Sequence, residues 1–71
     1  MTIGESIRKA REAQGFTRKK LSAKSGVSAS TIYNWETDKF IPSIFTLICV
    51  ADVLGVSLDE LVGRDFERSN R

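Results

Sequence analysis

Histidine is absent from the 71-residue chain, and cysteine occurs once, at Cys49. A lone thiol cannot close an intrachain disulfide, so the fold must rest on packing. Without histidine or a cysteine cluster, neither a zinc site nor Ser-His or Cys-His catalysis can be assembled. The nine acids fall at no spacing that suggests a carboxylate metal site or an acid–base pair. No enzymatic activity, cofactor, metal or small-molecule ligand is expected. No apolar run reaches the roughly 18 residues a membrane span needs. The N-terminal stretch MTIGESIRKAREAQG mixes acids with its cations, unlike a secretory signal or a transit peptide. These absences leave one small cytoplasmic domain without a membrane partner, expected over residues 1–63, followed by a polar tail over 64–71.

What is present is helical patterning. Thr2 and Glu5 form a capping-box pattern opening a helix to Gln14, with Ile3, Ile7 and Ala10 on its buried face. Gly15 stops it, Phe16 enters the core, and Thr17 caps a second helix, Arg18 to Ser25. Gly26, Val27 and Ser28 make a turn, and Ser28 caps a third helix ending near Glu36. The loop TDKFIPS carries Lys39 and the only proline, Pro42. Ser43 then caps a fourth helix, Ile44 to Leu54. Its core stripe is expected at Ile44, Leu47, Ile48, Ala51 and Leu54, with a second apolar strip at Phe45, Cys49 and Val53. Ser57 and Glu60 form another capping-box pattern for a short fifth helix bearing Leu58, Leu61 and Val62. The expected class is all-α: five compact helices, the second and third joined as a helix-turn-helix.

Charge is uneven. Residues 1–41 hold eight Lys/Arg against four Asp/Glu, and residues 42–71 hold three against five. Such asymmetry is the electrostatic footprint of nucleic-acid binding, though by itself it also fits an ordinary solvated surface. A sharper signal is the first turn of the second helix, where Arg18, Lys19 and Lys20 sit beside the positive end of the helix dipole. Each unfavourable placement costs on the order of 0.3–1 kcal/mol if exposed, and a bound phosphate would reverse its sign. The third helix, read as SASTIYNWE, turns Ile32 and Trp35 inward and has no acid before Glu36. Its outer face therefore carries small polar groups, a tyrosine and an asparagine, suited to lie against another polar surface.

The run from Ile3 to Val62, with GVSASTIYNWE, the IPS of the next loop and VLGVSLDELV in order, resembles the lambda-repressor-like (Cro/XRE-type) helix-turn-helix family. The resemblance implies binding of double-stranded DNA in the control of transcription, with repression the expected sign. It implies that the third helix enters the major groove. Base contacts then fall to Ser28, Ala29, Ser30, Tyr33 and Asn34, and phosphate contacts to Thr17, Arg18, Lys19 and Lys39. The side chains suit these roles: Asn can pair with adenine, Ala can meet a thymine methyl, and Ser can bond to several bases. Arg11 and Glu36 match positions that form a partly buried structural ion pair.

Two positions depart from the family pattern. Its second helix commonly opens with Gln, whereas this chain has Arg18. Its fourth helix often has a polar outer strip, whereas here that strip holds Phe45 and Cys49. With Leu58, these residues are expected to form a homodimer interface, and a two-fold dimer calls for a near-palindromic operator. The competing reading is an antitoxin-like protein-interaction module whose main contact runs through the same apolar strip.

Overall fold

The computed structural model describes residues 2–64. They form α1 (Ile3–Ala13), α2 (Arg18–Ser25), α3 (Ala29–Glu36), α4 (Ile44–Leu54) and α5 (Leu58–Val62), with no strand among the described residues. Each helix starts where a hydroxyl residue precedes its apolar pattern. Thr2, Thr17, Ser28, Ser43 and Ser57 are the caps, each accepting the amide three residues on. Such a cap contributes about 1 kcal/mol over alanine. Both expected capping boxes, Thr2 with Glu5 and Ser57 with Glu60, are formed. Residues 65–71 of the expected tail lie outside the described residues. No helix among those described is long and apolar enough to cross a membrane.

The helices close around Ile7, Leu21, Ile32, Trp35, Val50, Ala51, Leu54 and Leu61. α1 packs on α3 and α5, α2 on α3 and α4, and α4 on α5. Phe16 and Val27 fill the corners between elements. In α4 the buried face departs from the expected stripe. Val50, Ala51 and Leu54 are buried and Leu47 packs against them, while Ile44 and Ile48 remain 56% and 43% exposed. α4 is apolar around most of its circumference, so periodicity alone cannot choose which side faces inward. Packing against α2 and α5 makes that choice.

Ile3 is also more exposed than its place on the α1 stripe implies, at 39%. The close approach of α1 to α3 is made one residue later, by buried Gly4. A methyl group there would strike the Trp35 carbonyl oxygen and the Asp38 carboxylate. The Gly4 amide donates to Asp38 Oδ1 at 3.2 Å. Asp38 adopts a left-handed φ of 63° after α3, a region that Asp tolerates better than most residues. The start of α1 is thus pinned to the end of α3.

A second tie between these helices is ionic. Arg11 donates through Nε to Glu36 Oε2 at 2.6 Å and through Nη2 to Oε1 at 3.0 Å. Its Nη1 donates to the Phe16 carbonyl at 2.7 Å, bracing the α1–α2 connection. Arg18 adds a bond from its Nε to Glu36 Oε1 at 3.0 Å. The Glu36 side chain is only 1% exposed. The hydrogen bond to Glu36 holds the Arg11 guanidinium above its already high pKa, against the opposing effect of burial. The sign follows: this contribution is present throughout the range below the ordinary arginine pKa and fades only as pH rises through the folded value.

Removing one partner of such a buried pair strands the other's charge. Glu36→Ala is expected to lose about 3–5 kcal/mol of unfolding free energy. Gly4→Ala, which overfills the α1–α3 contact, should lose about 1–3 kcal/mol. Denaturant unfolding monitored by Trp35 fluorescence measures both, and an unchanged midpoint would contradict the corresponding assignment.

Candidate nucleic-acid interface

The geometry of the α2–α3 pair is set by its turn. Gly26 adopts φ 80° at the end of α2 and returns its amide to the Ser22 carbonyl. The Ser25 hydroxyl accepts from the Val27 amide at 3.2 Å. Leu21 of α2 and Ile32 of α3 are wholly buried between the helices. With Ile32, Trp35 and Glu36 turned inward, Ser30 and Tyr33 are exposed and Ala29 and Asn34 are half-buried at the surface. The expected reading positions therefore lie together on one side of α3, and that exposed side carries no acid.

The polar groups on this side are not equally free. Ser28 Oγ accepts from the Thr31 amide at 3.2 Å and donates to Thr31 Oγ1 at 2.8 Å. It also lies 3.3 Å from Ser30 Oγ. The Ser28 hydroxyl is thus committed to starting the helix, while Ser30 sits at the edge of that cluster. The Asn34 side-chain amide has no partner among the described residues, although its backbone carbonyl accepts from the Lys39 and Phe40 amides. A free carboxamide has two donors and an acceptor available to a ligand.

The flanking cations also divide. Thr17 is the exposed cap of α2, its hydroxyl accepting from the Lys20 amide at 3.0 Å. Lys20 Nζ lies over the Phe16 ring at 4.8 Å. Arg18 bonds to Glu36, and its guanidinium carbon lies 5.1 Å from the centre of the Tyr33 ring. Lys19 is exposed and unpaired among the described residues, as is the Lys39 ammonium in the loop after α3. The carboxylate of Glu36 thus supplies part of the negative charge that the first turn of α2 calls for. Lys19 and Lys39 keep their charge for solvent or a ligand.

Sequence reasoning missed three features here. Thr31 joins the cap cluster as an acceptor, a role only its distance from Ser28 reveals. Arg18 braces Glu36 across 18 positions, a separation no local pattern announces. The apolar surface is also broader than the strip expected at Phe45 and Cys49. Phe45 and Ile41 are 81% and 79% exposed, and Phe40, Ile44 and Ile48 extend the patch. Cys49 is exposed, with its thiol 3.5 Å from the Ser25 carbonyl oxygen. Leu58 is half-buried and packs on the core. A cavity of about 360 Å³ lies between α1 and α5, lined by Ser6, Lys9, Ala10, Ala13, Gln14, Val56, Glu60 and Gly63. No residue of α2 or α3 contributes to it.

The fold recurs in known proteins. The chain is 34% identical over 65 residues to the immunity repressor protein of Bacillus phage phi105, covering 92% of this chain and 45% of that one. It spans about half the length of the curated relatives it matches. Among solved structures, it is similar to the P22 c2 repressor in complex with a synthetic operator. That match has a TM-score of 0.81 and 29% identity, covering 92% of this chain and 98% of that one. It is also similar to SinR, a master regulator of biofilm formation, solved in complex with DNA. There the TM-score is 0.78 and the identity 35%, over 83% of this chain and 95% of that one. A helix-turn-helix family model matches residues 7–61, more than half of the chain, and the protein belongs to that family.

Proposed function

We propose that the protein is a sequence-specific double-stranded DNA-binding regulator of transcription, acting as a repressor. The observation that carries this reading is the side of α3 that is free of acids and bears an uncommitted Asn34 amide, with unpaired Lys19 on the preceding helix and Lys39 on the following loop. A generic solvated helix face carries Glu and Lys, not this set. The reading is supported by two neighbours of the same fold, each solved with DNA. α3 enters the major groove. Ser30, Tyr33 and Asn34 meet base edges there, with Ala29 offering a methyl contact and Ser28 contributing mainly as the cap. Thr17, Lys19 and Lys39 hold phosphates on either side, which fixes the register of α3 without reading sequence.

The protein acts as a homodimer on a near-palindromic operator, with its two reading helices about 34 Å apart, one turn of DNA. The exposed face of Ile41, Ile44, Phe45 and Ile48 supports this, because contiguous apolar surface on a small domain calls for a partner. Phe45 lies near the centre of the contact. An antitoxin-like interaction module would use the same apolar face, but would leave the acid-free side of α3 without a purpose.

Selection from random duplexes, followed by affinity measurements across a salt series, tests the DNA reading. A phosphate-neutralising protein loses affinity steeply with salt, with a log–log slope of about −0.9 per phosphate contacted. Asn34→Ala should change the preferred site, with about 1–3 kcal/mol of discrimination lost at one position. Lys39→Ala should weaken all duplexes alike and make the slope shallower by about 0.9. Absence of binding to any duplex at low salt would overturn the function, and an unchanged site with Asn34→Ala would remove that residue from the reading set.

The dimer is tested by sedimentation of wild type and Phe45→Glu at micromolar concentration. The expected result is a two-fold difference in mass. Equal masses would count against this face as the interface.

A further inference from the structure

The resemblance implies a phosphate contact for Arg18, and a guanidinium fork can serve a phosphate or a base edge. The surroundings of Arg18 point to the second. It is held from two sides. Its Nε is bonded to buried Glu36 at 3.0 Å, and its guanidinium carbon lies 5.1 Å from the centre of the Tyr33 ring on the outward side of α3. Its side chain remains 39% exposed, and neither terminal nitrogen has a hydrogen-bond partner among the described residues. These nitrogens form the end-on fork of the guanidinium. With Nε occupied, the fork is the one bidentate edge that Arg18 can still present.

What lies beside that fork gives it a target. The start of α3 offers only Ser28, Ala29 and Ser30, and Ala29 lies one turn before Tyr33 on the same helical face. A methyl at position 29 adds no hydrogen-bond donor to that face. Arg18 brings donors beside Tyr33 from α2, already oriented by its bond to Glu36. In the major groove, guanine presents O6 and N7 as paired acceptors, and a guanidinium fork matches them bidentately.

Building on the proposed DNA-binding function, we propose that Arg18 is a specificity-determining residue. It reads a guanine in the operator half-site through its two terminal nitrogens, with Glu36 and Tyr33 as positioning residues. The first residue of α2 thereby extends the base-reading surface beyond α3. The Arg11–Glu36–Arg18 cluster then serves recognition as well as folding.

The test starts from the half-site that random-duplex selection recovers with wild type. It is expected to contain an invariant guanine whose replacement by 7-deazaguanine, which lacks the N7 acceptor, weakens binding about tenfold. With Arg18→Gln, selection should no longer favour that guanine, and the deazaguanine penalty should vanish. The salt slope should match that of wild type, since no phosphate contact is lost. Arg18→Lys, which keeps the charge but not the fork, should likewise lose the preference.

If Arg18→Gln fails to fold, Arg18→Lys and the deazaguanine measurement on wild type still decide the question. Two results overturn the proposal while leaving DNA binding intact. One is an unchanged preferred site with a slope shallower by about 0.9, which marks a phosphate contact. The other is a guanine preference that persists in both variants. Failure of wild type to bind any duplex would instead sink the underlying function, and this inference with it.

Discussion

The fold turns on one buried carboxylate. Glu36 ends α3 with its side chain 1% exposed and holds Arg11 of α1 and Arg18 of α2 at once. A buried acid with no partner would be untenable, because desolvation of a lone charge far exceeds what a single neutral hydrogen bond returns. Two guanidiniums, one of them bidentate, satisfy it. Arg11 then spends its remaining nitrogen on the Phe16 carbonyl, so the same cluster fixes the path of the chain between α1 and α2. Three helix segments distant in sequence are brought to one point. The relative placement of α2 and α3, on which any groove contact depends, follows from it, from the Gly26 turn and from the burial of Leu21 and Ile32 in the common core.

The cluster also explains an arrangement that local rules argue against. Three cations open α2, where the helix dipole disfavours them. In the folded protein Arg18 faces Glu36 and Lys20 lies over Phe16, leaving Lys19 as the unpaired cation of that turn. The repulsion expected from a helix considered alone is therefore reduced by residues from other elements. Charge on this side of the molecule is sorted as a result. Some of it maintains structure, and some remains at the surface at Lys19 and Lys39.

Most of the architecture was legible in the sequence because local chemistry and global fold agree. Each helix begins at a hydroxyl cap, and Gly15, Gly26 and Gly55 supply the left-handed residues that end helices. α2, α3 and α4 occupy the expected spans, while α1 falls one residue short at each end, Thr2 and Gln14 being its caps. The inward turn of Ile32 and Trp35 and the clustering of Ser30, Tyr33 and Asn34 on one side followed from the helical period. The facing of α4 was legible only in part. Leu47, Ala51 and Leu54 meet the core as expected, but Val50 and Val53 join them while Ile44 and Ile48 stay exposed. A helix apolar nearly all round has no sharp preferred side until its neighbours are in place. The role of Gly4 was hidden for a related reason. A glycine in a first helical turn reads as a weak spot until the Trp35 carbonyl is found against it. The second partner of Glu36 was likewise invisible, because only the folded chain brings Arg18 beside it.

The apolar face of α4 follows from the size of the domain. A core this small leaves a narrow margin over the conformational entropy of its chain. Apolar residues beyond what that core can bury add nothing to the stability of an isolated domain, and they raise the risk of nonspecific association. Phe45 and Ile41 are therefore costly on a monomer and useful on a dimer. Any partner that buries them would stabilise the fold by mass action. Folding and such association would then be linked equilibria.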